Sequence, residues 1–201
     1  MKRNKILLLI AFTGLFYFAG CIEKPKSDKK TTTEEPSSKN YTEIGSNYAK
    51  STQKELGKNL MAAIQKEGTL GALEFCNVQA YPLTDSMAVV HHAKIKRVSD
   101  KPRNPFNQAN DEELGYIEAF KNMIATGDTV EPIINDENGQ LYFYSPITTN
   151  PMCLQCHGKP EEQIQPATMA KLQELYPADE AVGYTDNELR GIWAITFDKE
   201  Q

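Results

Sequence analysis

Cysteine is scarce in this 201-residue sequence: four occur, at positions 21, 76, 153 and 156. That is too few to staple a disulfide-built scaffold, so each thiol asks for its own explanation. Runs of Lys and Arg interleaved with aromatics are absent, and 27 acidic residues outnumber 22 basic ones for a net charge of −5. Such a surface repels phosphate backbones and argues against a nucleic-acid partner. There is no internal repeat. The one long apolar run, residues 6–19, has 14 positions, short of the roughly 20 that a membrane-spanning helix needs. What is present is ordinary globular material, 40% apolar and 24% charged, enough for one domain with a real core and cramped for two.

The apolar run follows Lys2, Arg3 and Lys5 and ends at Ala19-Gly20-Cys21. A positive start, a short apolar stretch and small residues before the junction form an export signal over residues 1–20. The cysteine directly after the small pair resembles the bacterial lipoprotein signal, in which that thiol is lipidated; an uncleaved anchor and a soluble secreted protein are the alternatives. The expected location is the cell envelope, on the periplasmic or extracellular side of a bacterial membrane, with the lipid on Cys21 as the membrane contact. Loss of the signal would leave 19 basic against 27 acidic residues, a net charge of −8, which favours a basic protein partner. Residues 21–43 hold balanced charges, three consecutive threonines and almost nothing to bury, and read as a disordered tether. Its reach is about 25 Å by the flexible-chain relation.

The domain expected over residues 44–201 begins with a helical stripe, Leu56, Leu60, Met61 and Ile64, that Gly68 should stop. A second helical run carries Leu70, Leu73, Cys76 and Ala80, with Pro82 expected to bend or restart it. A strand follows at residues 94–99, a loop at 101–107, and a helix capped by Asn110 or Asp111 that lasts until Gly127. Residues 132–135 and 140–146 flank Asp136-Glu137-Asn138-Gly139 as a hairpin. Helix returns over 168–175, and residues 190–197 make the last strand. The order predicts an α+β fold, with N-terminal helices ahead of an antiparallel sheet.

Cys153-Leu154-Gln155-Cys156-His157 carries the chemistry. Two thiols at this spacing can form thioethers with the two vinyl groups of a haem, and the adjacent histidine reaches the iron. The alternatives are a thioredoxin-like thiol pair and a zinc site completed by Cys76 with His91 or His92, for which a second closely spaced ligand pair is missing. On chemistry alone a second axial ligand is open among Cys76, His91, His92, Met61, Met87, Met123 and Met169. Arg97 and Arg103 are candidates to clamp the haem propionates, with a surface or loop-ordering role as the other reading. Trp193 and residues 141–144 supply pocket wall or, better, sheet core.

Phe75-Cys76-Asn77, Arg97-Val98-Ser99 with Arg103-Asn104-Pro105, Pro146-Ile147 ahead of Cys153-Leu154-Gln155-Cys156-His157-Gly158, and Gly183-Tyr184 through Arg190-Gly191 together resemble the PAS-like single-haem c-type domain family. The resemblance implies a PAS-like antiparallel sheet with N-terminal helices and one covalently bound haem c. It also implies iron held between His157 and the cysteine of the Phe-Cys-Asn motif, Cys76.

Two functions follow, neither of them an enzyme's. The first is a redox or small-ligand (gas) sensor with His/Cys-ligated iron, and the second an electron-transfer cytochrome serving a periplasmic or membrane partner. Either requires a protein partner, since the sequence holds no transmitter domain. Peroxidase-like catalysis lacks a convincing acid/base helper beyond His91 and His92.

Overall fold

The computed structural model describes residues 40–198. The export signal, Cys21 and most of the expected tether lie outside the described residues. The tether's expected end does not: helix α1 (Tyr41–His91) starts at Tyr41, with the Asn40 side chain accepting from the Glu43 amide at 3.1 Å. An N-cap followed by two side chains with something to bury makes this stretch helical. Tyr41 and Ile44 pack onto the sheet, and the Tyr41 ring meets Phe197 edge-on at 5.0 Å.

The 51 residues of α1 are not one rod. Ser51 and His91 would lie about 60 Å apart in a straight helix, yet Ser51 Oγ is 2.7 Å from His91 Nε2 and Tyr48 stacks on the imidazole at 4.2 Å. The chain reverses at Gly68, whose φ of 68° and ψ of −171° fall in a region essentially reserved for glycine. The helix is therefore an antiparallel hairpin of two arms, residues 41–67 and 69–91. Gly68 ends the first arm, as expected, and also reverses the chain. Pro82 does not restart the second arm, which keeps helical dihedrals through it and runs on to His91. The hydrogen bond that proline cannot donate would go to the carbonyl of Val78, a residue 63% exposed, where water can replace it.

The contact that closes the arms is sensitive to acid. Burial depresses the His91 pKa below its ordinary value, so below about pH 6.5 the unfolded chain takes up a proton that the folded one resists. Stability from this residue is full above the unfolded pKa and is lost as pH falls through it. Thermal unfolding of wild type should show a midpoint falling from pH 7.5 to 5.5. In His91→Asn the fall should be smaller, and an identical pH slope in the two proteins would contradict this.

Strands β1 (Ala93–Val98), β2 (Ile133–Glu137), β3 (Gln140–Thr148) and β4 (Leu189–Phe197) form one antiparallel sheet in the order β1-β4-β3-β2. Central β4 sends Ile192 and Ala194 toward Ile117 and Phe120 of α2 (Asp111–Thr126), and Trp193, Ile195 and Phe197 toward Ala49 of α1. Helices thus cover both faces. The Asn110 cap of α2 forms the full reciprocal box with Glu113, at 2.8 and 2.9 Å. The β2–β3 turn is tighter than its four-residue expectation, because pairing extends to Glu137 and Gln140. Only Asn138 and Gly139 remain, with φ of 54° and 76° as a two-residue primed turn demands.

Between Ile147↔Gly191 and Thr148↔Leu189 the β3–β4 register slips, so Arg190 is the extra residue of a bulge. Two short helices complete the chain, α3 (Leu154–His157) and α4 (Pro166–Leu175). Among the described residues no helix is long and apolar enough to cross a membrane.

Candidate cofactor site

The site is built on α3, which carries Cys156 and His157 with Cys153 as its N-cap. Asn150 starts the turn by accepting the Cys153 amide at 2.9 Å, and the His157 amide returns to the Cys153 carbonyl at 2.9 Å. A strap made by residues 181–184 holds it from the other side. Gly183 donates to the Gly158 carbonyl at 2.8 Å and Tyr184 to the His157 carbonyl at 2.9 Å. Gly158 is obligatory there, since a Cβ would stand 2.6 Å from the Leu154 carbonyl oxygen. Leu73, Ile164 and Leu172 pack beneath Cys156, tying α1 and α4 to the turn.

His157 Nδ1 lies 2.8 Å from the Ala181 carbonyl. A carbonyl only accepts, so the proton is on Nδ1, and Nε2 keeps a free lone pair in a fixed orientation. Arg190 Nε approaches the same nitrogen at 3.3 Å but has no acceptor there; Nη1 of Arg190 donates instead to Ser99 Oγ at 3.0 Å and the Lys101 carbonyl at 3.2 Å. Burial, then the charges of Arg103 and Arg190, hold the His157 pKa well below its ordinary value, so the imidazole is neutral. The residue is deep in the protein, and the surface it retains faces the cleft. Tyr184 stands edge-on behind it at 6.2 Å. The Tyr184 hydroxyl is near Ser99 and Arg190 without hydrogen-bonding geometry to either.

In front of His157 lie two adjoining cavities of about 280 and 300 Å³ that share Leu60, Cys76, Arg97, Cys153, His157 and Arg190 as walls. One extends past Ile64, Cys156 and Tyr176. The other reaches Phe75 and Trp193. Cys76 comes from the second arm of α1, a residue that the hairpin alone brings opposite α3. Burial pushes its thiol pKa up, and the charges of Arg97 and Arg103 oppose that shift. Arg97 is paired with Trp193 across β1 and β4, on the sheet face that α1 covers.

Cys76, Cys153, Cys156, His157, Arg97 and Arg103 therefore converge, and all six line the first cavity. The remaining ligand candidates do not line either cavity. His91 is engaged with Ser51 and Tyr48, and exposed His92 forms the left-handed cap of α1 with φ of 49°. Met87, Met123 and Met169 pack in the three cores, and Met61 is 37% exposed. Among the described residues no three or more His, Cys, Asp or Glu side chains are arranged closely enough to hold a metal ion, and neither His91 nor His92 lines the cleft with Cys76, so the zinc set is not assembled.

Arg103 is already engaged within the protein. Its Nε pairs with Asp179 at 3.0 Å, and Nη2 donates to the Cys156 carbonyl at 2.5 Å and that of Ala181 at 3.2 Å. These bonds give it the loop-ordering role. Arg97 has one long contact, Nη2 to the Ala80 carbonyl at 3.5 Å. Trp193 serves both as core and as wall, while residues 141–144 stay in the sheet cores. Arg190, Met152 and Tyr176 are site residues that sequence reasoning did not assign. For Arg190 the signal would have been the bulge, which no local pattern announces.

Helices on both faces of a four-stranded antiparallel sheet, with a Cys-x-x-Cys-His turn facing a cleft, define an α+β domain with a candidate cofactor site. The chain belongs to the Tll0287-like family, whose model matches residues 27–197. Among solved structures it is similar to the cyanobacterial haem protein Tll0287, at 19% identity and a TM-score of 0.59. That likeness covers 79% of this chain and 96% of the other, and it is one of fold. No curated protein matches the sequence.

Proposed function

We propose that this chain is an exported haem protein that senses redox state or a small ligand through His/Cys-ligated iron. The observation that carries the reading is the convergence of Cys153, Cys156, His157 and Cys76 on one cleft. The haem-protein title of the similar structure supports it.

The donor set fits the group. The Cys153 and Cys156 thiols would each add across a vinyl group, sulfur to one carbon and hydrogen to the other, which needs no oxidant. His157 presents Nε2, oriented by its Nδ1–H bond to Ala181. Cys76, which lines the same cleft, would be the second ligand, and Leu60, Ile64, Leu73, Phe75 and Trp193 give the cleft apolar walls. A bound haem supplies a redox-active iron with axial positions that accept thiolate, imidazole or a diatomic gas. Thiolate stabilises ferric iron, so with haem bound reduction would weaken the hold of Cys76 and make room for a ligand. Lipid on Cys21 anchors the domain in the cell envelope, where a basic protein partner reads its state; no enzymatic turnover is involved.

Absorption and electron paramagnetic resonance spectra of the exported full chain test this. Wild type should be low-spin when ferric, with a weak sulfur-to-iron band at long wavelength. Cys76→Ala should keep its covalent haem, become high-spin and bind added imidazole. If the ferric spectrum and midpoint potential of Cys76→Ala match wild type, the ligand assignment is wrong. If reduced wild type fails to bind carbon monoxide at submillimolar concentration, the protein is an electron carrier instead.

A further inference from the structure

Three guanidinium groups converge on the cleft, Arg97, Arg103 and Arg190, in a chain whose overall balance is acidic. One of them is neutralised, because Arg103 and Asp179 form an ion pair with side chains only 11% and 6% exposed. The other two have no carboxylate partner among the described residues. Arg97 contacts one backbone carbonyl at 3.5 Å, and Arg190 donates to a hydroxyl and a carbonyl through Nη1 while Nη2 makes none of these bonds. Desolvation lowers the pKa of both. Two desolvated cations without a paired carboxylate destabilise the fold unless something anionic completes the site.

The two are placed as separate anchors. Arg97 stands on β1 opposite Trp193, and Arg190 is the bulged residue of β4, three positions before Trp193. Their backbones are offset by about 10 Å along the sheet, so the two side chains enter the cleft from different positions and can each take one carboxylate. The bulge has a purpose in this arrangement, since it turns Arg190 into the cleft out of strict alternation.

We propose that Arg97 and Arg190 each bind one carboxylate of a dianionic ligand, the two propionates of the haem. Arg103, which the sequence reading paired with Arg97, already has a carboxylate in Asp179 and is the weaker candidate. This assignment rests on the haem reading and deepens it.

The test uses the exported full chain, with resonance Raman spectra of the propionate-bending region and potentiometric titration. Arg97→Gln and Arg190→Gln should keep covalent haem and shift the propionate band. Each should also move the equilibrium at least tenfold toward oxidised protein, about 59 mV for one electron. Arg97→Lys keeps the charge but loses the fork, so the band should move while the potential stays near wild type. This variant carries the test if the Gln variant is not recovered. An unchanged band in both Arg97→Gln and Arg190→Gln overturns the proposal, even if the potential moves, since a nearby charge that binds nothing does the same. A wild type without haem overturns the underlying reading, and the proposal with it.

Discussion

Protein carrying Cys153→Ala together with Cys156→Ala is expected to lose all of its haem on denaturation, whereas wild type from the same maturing, exporting host keeps it. Coordination alone is broken when His157 and Cys76 leave their places on α3 and α1; a thioether is not. Each single variant retains one such bond and should keep a smaller fraction. Haem staining after denaturing electrophoresis reads the outcome directly. A double variant that still stains, or a colourless wild type loaded with zinc, would remove the covalent haem from the account of this site.

Arg103→Ala should cost about 3–5 kcal/mol, the range found when one partner of a buried ion pair is removed. Asp179, with its side chain 6% exposed, would be left as an uncompensated carboxylate. The Cys156 and Ala181 carbonyls would lose their donor in the same step. For a domain of this size that is roughly 6–20 °C in melting temperature. Asp179→Ala on the same background should recover part of the loss, because the stranded charge is removed with it, although Asp179 also accepts the Ala181 amide at 2.7 Å. A cost below about 1 kcal/mol for Arg103→Ala would place the pair among ordinary surface bridges.

The residues that were legible in the sequence are those whose role is written in local spacing. Asn110 or Asp111 and Gly127 bracketed α2, Asn138-Gly139 marked the hairpin, and the Cys153, Cys156 and His157 spacing pointed to its chemistry. What stayed hidden depends on pairs distant in sequence. Periodicity shows that residues 46–66 and 70–90 are helical. It does not show that Gly68 reverses the chain, which is what removes His91 to the clasp with Ser51 and leaves Cys76 at the cleft. Arg97 and Arg103 look alike in the sequence, and their roles part only because Asp179, 76 positions further on, folds back onto Arg103. Choosing Cys76 over the histidines and methionines rested on resemblance, and the cleft geometry supplies the physical reason for it.

The edge-on contact of Tyr41 with Phe197 joins the first helical residue of the domain to the last residue of its final strand. A domain whose two ends meet can be spliced into a host loop without stretching either polypeptide, and it tolerates circular permutation at that seam. The reversal at Gly68, about 40 Å away along the first arm, then becomes the natural place to open new termini. The same architecture is in this sense a cassette: host chains attach at one pole, and the cofactor cleft stays clear of the junction.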